Sequence, residues 1–78
     1  MNDWTRLVRD VPDFPKAGIG FKDIMPVLAD ADAFASAIET LAMPWREARI
    51  DAVMAIEARG FLLGAPLARV FGCGVVAV

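Results

Sequence analysis

Residues 50–78 decide the fold of this chain and read IDAVMAI (50–56), EARG (57–60), FLLGAPLARVF (61–71) and GCGVVAV (72–78). The first run is apolar after Asp51, which is typical of a strand covered on both faces of a parallel sheet. The EARG segment predicts a turn. The next run has helical spacing, and Gly72 ends it before a second apolar strand. This order of elements is that of a parallel pair with a right-handed crossover, so we expect an α/β fold.

The residues upstream of this unit predict a helix, a loop and a second helix. The first helix covers 4–9, and the loop is irregular because prolines and glycines interrupt residues 11–20. Residues 21–28 predict a short extended piece and a turn. Asp30 or Asp32 caps the second helix, which ends or kinks near Pro44. We expect one partial domain over 1–78, divided into an amino-terminal helix and loop (1–28), a helix (29–49) and a strand–helix–strand unit (50–78).

Composition excludes several classes of protein. Hydrophobic residues make up 58% of the 78 residues, which excludes a disordered chain. Eight Lys and Arg against ten Asp and Glu provide no basic surface for nucleic acid or an anionic membrane. The single cysteine and the absence of a secretion signal near the start predict a cytoplasmic location. Residues 61–78 could span a bilayer, but Arg69 and the Gly and Pro breaks favour a buried helix and strand.

The turn formed by Glu57, Ala58, Arg59 and Gly60 is the first candidate site. It follows a parallel strand and begins a helix, where ligands of such sheets bind and where N–H groups attract anions. Arg59 adds donors that suit phosphate oxygens, and Gly60 lets the backbone approach a ligand. A second interpretation is that Glu57, at the end of a buried strand, pairs with Arg59 only to close the loop. The spacing alone leaves both interpretations open.

The second candidate site is the loop DFPKAGIGFKDI at 13–24. It carries two phenylalanines, Phe14 and Phe21, in a segment made rigid by proline. A phenylalanine in such a loop can stack on a flat ring while exposed backbone groups contact the edges of that ring. Loop aromatics also commonly cover a core, and the residues do not decide between these roles.

Two long segments carry a resemblance: DFPKAGIGFKDIMPVLAD (13–30) and IDAVMAIEARGFLLGAPLA (50–68). Together they resemble the amino-terminal half of the adenine phosphoribosyltransferase family, whose fold is the type I phosphoribosyltransferase fold, a Rossmann-like α/β fold. The resemblance implies transfer of a phosphoribosyl group from phosphoribosyl pyrophosphate (PRPP) to adenine, giving AMP and pyrophosphate in purine salvage. It also implies Mg²⁺ bound with PRPP and a homodimeric complete enzyme.

The resemblance assigns roles to residues of both candidate sites. Phe21 would stack on adenine, and the backbone of Gly20, Phe21 and Lys22 would contact the edges of the base. The turn at 57–60 would hold the pyrophosphate, with a cis peptide between Glu57 and Ala58. The resemblance identifies no catalytic acid or base in this chain.

The chain departs from the family pattern at Ala17, Gly20 and Met25. It also lacks the family's PRPP loop, so we expect the 78-residue chain alone to be inactive and to self-associate. Two other functions stay open. One is a non-catalytic binding or interaction module that docks through its unpaired strand. The other is a phosphoribosyltransferase for another base, such as xanthine or orotate.

Overall fold

A computed structural model describes residues 3–78 of the chain. Residues 1 and 2, which belong to the predicted 1–28 segment, lie outside the described part. The chain forms two compact units, the first ending at Ala37 and the second running Ile38–Val78. Each unit contains a two-stranded sheet. The division of the chain into three segments of one partial domain stays a prediction.

The first unit is built around an antiparallel strand pair and small buried side chains. Val27 and Ala33 are its buried residues. Asp3 caps the first 3₁₀ helix, and the hydrogen bond from the Thr5 hydroxyl holds the pKa of Asp3 below its ordinary value. The elements in order are a 3₁₀ helix (Trp4–Leu7), β1 (Arg9–Val11), β2 (Phe21–Asp23), α1 (Met25–Ala29) and the start of α2 (Ala31–Ala42).

Three expectations for this unit were wrong in detail. The amino-terminal helix ends at Leu7, and the chain continues as β1, which pairs with β2. These strands have three residues each, too few to show an alternating apolar pattern. The turn expected within 21–28 is instead the helix α1. Pro26 lies in the first turn of α1, where a missing N–H costs no helical hydrogen bond.

The cap of α2 follows the prediction. The Oδ1 atom of Asp30 accepts a hydrogen bond from the Ala33 N–H at 3.0 Å, so Asp30 is the capping residue. Asp32 lies in the first turn, near the positive end of the helix dipole. The helix is shorter than 29–49. It ends at Ala42, and Pro44 then lies in a 3₁₀ helix, Met43–Trp45.

The second unit contains the predicted crossover. β3 (Ala52–Ala55) and β4 (Gly74–Ala77) are parallel neighbours, and α3 (Arg59–Phe71) connects them. Gly72 ends α3 with a left-handed φ of 69°, and its N–H donates to carbonyls of the last turn. α3 begins at Arg59 rather than Phe61, so only Glu57 and Ala58 remain in the turn.

α3 packs on one face of this sheet and covers it in part, since Ala55 is buried but Val75 is 46% exposed. The position of a Cβ on Gly64 falls beside the side chains of Val53, Ala55 and Val75, which identifies the covered face. Side chains of the opposite face are exposed. They are Met54 (73% exposed), Ile56 (69%), Val76 (48%) and Val78 (61%). The expectation of strands covered on both faces is therefore wrong for the described residues. No helix within residues 3–78 is long and apolar enough to cross a membrane.

Candidate functional site

The base loop, residues 12–20, is held at both ends by the strand pair of the first unit. Arg9 faces Asp23 in the register of β1 and β2, and their side chains form an ion pair at 2.7 Å. Asp10 faces Lys22, and these side chains also pair. Asp23 further accepts a hydrogen bond from the Met25 N–H at 3.0 Å. The strand that carries Phe21 and Lys22 is thereby tied to β1 and α1.

Phe14 of the base loop packs against Phe21, the first residue of β2. The ring centroids of Phe14 and Phe21 are 5.1 Å apart, and the ring planes are tilted by 59°. Phe21 is half-buried, whereas 48% of Phe14 is exposed. This is a favourable geometry for an aromatic pair, and it leaves ring surface accessible to a flat ligand. The peptide between Phe14 and Pro15 is cis.

Gly20 has open space beside it. Apart from Gly20 itself and its two chain neighbours, no atom lies within 4 Å of the position of a Cβ on Gly20, and its φ lies outside the left-handed region. Gly20 immediately precedes Phe21, the residue that the resemblance places against a base. Gly20, where the chain departs from the family pattern, therefore places no side chain in this open space.

The anion turn, residues 57–60, lies at the carboxyl end of β3, as predicted. The Val78 N–H donates to the Ala55 carbonyl at 2.8 Å, and the Glu57 N–H donates to the Val78 carbonyl at 3.4 Å. These bonds continue the pairing of β3 and β4 up to the turn. The peptide between Glu57 and Ala58 is cis, as the resemblance implied.

Arg59 begins α3 and is exposed. Ala58 precedes it and offers no side-chain cap to the helix. The first bond of this turn joins the Phe61 N–H to the Ala58 carbonyl at 3.1 Å. The first N–H groups of an α-helix have no intrahelical acceptor and carry partial positive charge. The start of α3 and the Arg59 guanidinium thus combine two features that favour a phosphate group.

Two details of the anion turn differ from the expectations. Gly60 lies in the first turn of α3, and its φ is not left-handed, so a tight turn does not require glycine there. A Cβ on Gly60 would lie 3.9 Å from the Ala55 carbonyl carbon, an ordinary contact. Glu57 is exposed, so its carboxylate lies in water and not at the end of a buried strand.

The Mg²⁺ that the resemblance implies stays a prediction. Residues 3–78 contain no cluster of three or more His, Cys, Asp or Glu side chains that could hold a metal ion.

Sequence reasoning also missed three charged residues that shape the base loop, namely Arg9, Asp10 and Asp13. Their signal is weak, because only strand pairing brings Arg9 and Asp10 to their partners.

Comparison with known proteins finds relatives that share one name. An adenine phosphoribosyltransferase from Xanthomonas euvesicatoria pv. vesicatoria is 56% identical over 77 residues, covering 99% of this chain and 41% of the relative. One from Geobacter metallireducens is 50% identical, covering 100% of this chain and 46% of the relative. This chain is related to the adenine phosphoribosyltransferases. It spans less than half the length of these curated relatives, and no family model matches it.

Solved adenine phosphoribosyltransferases share its fold. The enzyme from Thermoanaerobacter pseudethanolicus superposes with a TM-score of 0.88 at 53% identity, covering 94% of this chain and 44% of that chain. The enzyme from Giardia lamblia, solved with 9-deazaadenine, superposes with a TM-score of 0.89 at 36% identity, covering 96% and 41%. The predicted α/β phosphoribosyltransferase fold is confirmed over the part of these enzymes that superposes on this chain.

Proposed function

We propose that this chain supplies the adenine-binding loop and the pyrophosphate-binding turn of an adenine phosphoribosyltransferase. The complete enzyme would transfer the phosphoribosyl group of PRPP to adenine, giving AMP and pyrophosphate. The observation that carries this proposal is the identity of 50% to 56% with named adenine phosphoribosyltransferases over 99% to 100% of this chain. The reaction and its purine-salvage role are inferred for the whole protein.

The base would bind at Gly20, Phe21 and Lys22. Ring surface on Phe21 would stack on adenine, and the backbone on either side would contact the edges of the base. Two related structures support a site for this ligand class. The Giardia lamblia enzyme was solved with 9-deazaadenine, and the Saccharomyces cerevisiae enzyme, 33% identical to this chain, with adenine and an imino-altritol bisphosphate.

The pyrophosphate group would bind at Glu57, Ala58, Arg59 and Gly60. Transfer breaks the bond between the anomeric carbon of PRPP and its pyrophosphate oxygen, and a nitrogen of adenine forms the new bond to that carbon. Negative charge grows on the departing pyrophosphate as the bond breaks. The exposed Arg59 and the N–H groups at the start of α3 would stabilise that charge where it develops.

Three further properties are proposals for the complete enzyme. Mg²⁺ would reach the site bound to the PRPP phosphates, since the ion commonly keeps substrate phosphates and water as ligands. A homodimer and a cytoplasmic location stay predictions from the resemblance and the composition. We also propose that the 78-residue chain alone binds ligands without catalysing transfer.

One observation favours a second candidate function, a non-catalytic interaction module. The sheet face formed by Met54, Ile56, Val76 and Val78 is exposed and apolar, and such a face favours association with another polypeptide. The module would retain both binding segments and dock on a complete enzyme.

Calorimetric titration of the chain with adenine, and separately with pyrophosphate and Mg²⁺, tests the proposal. We expect both ligands to bind, and each to bind in the presence of the other. Xanthine and orotate are the matched controls for the base and should bind at least tenfold more weakly. Preference for xanthine or orotate would reassign the substrate. Failure of both adenine and pyrophosphate to bind would contradict the proposed sites.

Activity separates the catalytic proposal from the interaction module. Pyrophosphate release from PRPP should be absent for this chain. It should appear when a carboxy-terminal portion of a related enzyme that contains the PRPP loop is added. Adenine-dependent release by the chain alone would contradict the proposal that it lacks part of the active site. Binding of that portion without any release would favour the interaction module.

A further inference from the structure

Asp13 has two features that set the shape of the base loop. Its Oδ1 atom accepts a hydrogen bond from the Gly18 N–H at 2.9 Å. Its φ is 54°, in the left-handed region that Asp and Asn enter more readily than most residues. Gly18 is also left-handed, with a φ of 85°. The Asp13 carboxylate therefore links Asp13 to Gly18. Both residues have a positive φ, which most residues with a side chain rarely adopt.

This bridge lies next to the aromatic pair. The Phe14 N–H donates to the Ile19 carbonyl at 2.9 Å, directly beside the bond between Asp13 and Gly18. The Ile19 N–H donates to the Lys16 carbonyl at 3.2 Å, which closes a turn over residues 16–19 within the loop. The backbone of Phe14 is thus fixed relative to the end of the loop that leads into Phe21. The centroids of the two rings are 5.1 Å apart.

We propose that Asp13 is a positioning residue that holds the Phe14 ring against Phe21 by bonding the Gly18 N–H. The ring pair is then oriented before a ligand arrives, and binding does not have to order the loop. That the ligand is adenine rests on the function proposed above. The positioning of the ring pair does not.

Three variants separate the carboxylate from backbone conformation. Asp13→Gly removes the acceptor and tolerates a positive φ. Asp13→Asn keeps an oxygen acceptor and also tolerates that φ. Ala17→Gly is the matched control, because it adds the same backbone freedom to the exposed loop without removing an acceptor.

Nuclear magnetic resonance of the chain tests the positioning without any ligand. In Asp13→Gly, the Gly18 amide should exchange about threefold to tenfold faster, and the contacts between the Phe14 and Phe21 rings should be lost. In Asp13→Asn and Ala17→Gly, the exchange rate of the Gly18 amide and the contacts between the two rings should stay as in the parent chain. Retained ring contacts in Asp13→Gly, or an equal loss in Ala17→Gly, would overturn the proposal.

Ligand titration then tests the consequence for binding. Asp13→Gly should weaken adenine binding about threefold to tenfold, while pyrophosphate binding at the anion turn stays within twofold of the parent chain. Asp13→Asn should restore adenine binding. If the parent chain does not bind adenine but the ring contacts respond as described, the proposed base site fails and the positioning role stands. If adenine binds equally to all variants although the ring contacts respond, the inference that ring positioning aids binding is overturned.

Discussion

A Cβ atom added to Gly64 would lie 2.7 Å from the Cβ of Ala55, closer than two such carbons approach in folded proteins. Gly64 lies in the buried stripe of α3, and Ala55 lies at the end of β3, next to the anion turn. The absence of a side chain at Gly64 lets the helix sit directly on the strand. The start of α3 is thereby held close to the carboxyl end of β3.

Gly64→Ala should destabilise the chain by about 1–3 kcal/mol, because the new methyl group would overlap the Cβ of Ala55. Both carbons are bonded directly to the backbone, so neither can move away by side-chain rotation. Helix propensity acts in the opposite direction by about 1 kcal/mol, so the steric cost must exceed it. Urea unfolding measures the net effect. Gly74→Ala is the control, since no atom lies within 4 Å of its Cβ position, and it should not destabilise.

The same contact can be isolated by a double-mutant cycle. In an Ala55→Gly background, Gly64→Ala should cost less than in the parent chain by at least about 1 kcal/mol. Additive free energies of unfolding would show that the predicted overlap between residues 55 and 64 does not govern the packing.

Arg59→Ala should weaken pyrophosphate binding about tenfold to 100-fold, because a charge-assisted hydrogen bond to phosphate contributes about 1.5–3 kcal/mol. Adenine binding should stay within twofold. Arg69→Ala is the matched control, since Arg69 is an exposed basic residue in the last turn of the same helix. Titration with pyrophosphate and Mg²⁺ measures the effect. Equal losses for adenine and pyrophosphate would contradict the assignment of Arg59.

Gly18 and Gly20 should respond differently to the same substitution. Gly18→Ala should cost about 1–2 kcal/mol because its φ of 85° is left-handed, whereas Gly20→Ala should be nearly neutral because its Cβ would enter open space. Thermal unfolding compares the two variants. An equal cost at both positions would show that the loop adopts another conformation.

Gly20→Val should tighten adenine binding about twofold to tenfold, because its methyl groups would enter open space next to the proposed base site and bury apolar surface against the base. The stability of the chain should change little, so the effect should be confined to the titration. Gly74→Val is the matched control in the other unit and should leave adenine affinity unchanged. Weaker binding in Gly20→Val would show that the open space accommodates the ligand itself.

The two ion pairs of the β1–β2 pair should contribute unequally. Asp23→Ala should cost about 1–3 kcal/mol, since the Asp23 side chain is only 15% exposed and accepts from both Arg9 and the Met25 N–H. Asp10→Ala should cost less than about 1 kcal/mol, because both Asp10 and Lys22 are over 70% exposed. Unfolding at low and high salt measures both changes. A larger loss for Asp10→Ala would reverse the ranking.

Residue patterns were sufficient to predict the strand–helix–strand unit and the position of the anion turn. Apolar runs bounded by charged residues or glycine specify β3, α3 and β4 because burial and backbone conformation act locally. The antiparallel pair β1–β2 was missed, since each strand has three residues and no apolar run marks Arg9 or Asp23 as part of a strand. The exposed face of Met54 and Ile56 was also missed, because hydrophobicity alone does not show which apolar side chains pack against another element.

The sequence by itself determined the α/β class, the strand–helix–strand order, a cap for α2 at Asp30 or Asp32 and the end of α3 at Gly72, all of which depend on residue patterns within or next to single elements. Only the tertiary structure decided the contact of Gly64 with Ala55, the bond of Asp13 with Gly18 and the packing of Phe14 on Phe21. These relationships depend on distances and backbone angles that arise once the elements pack. A linear pattern records which residues are present but not how closely they approach.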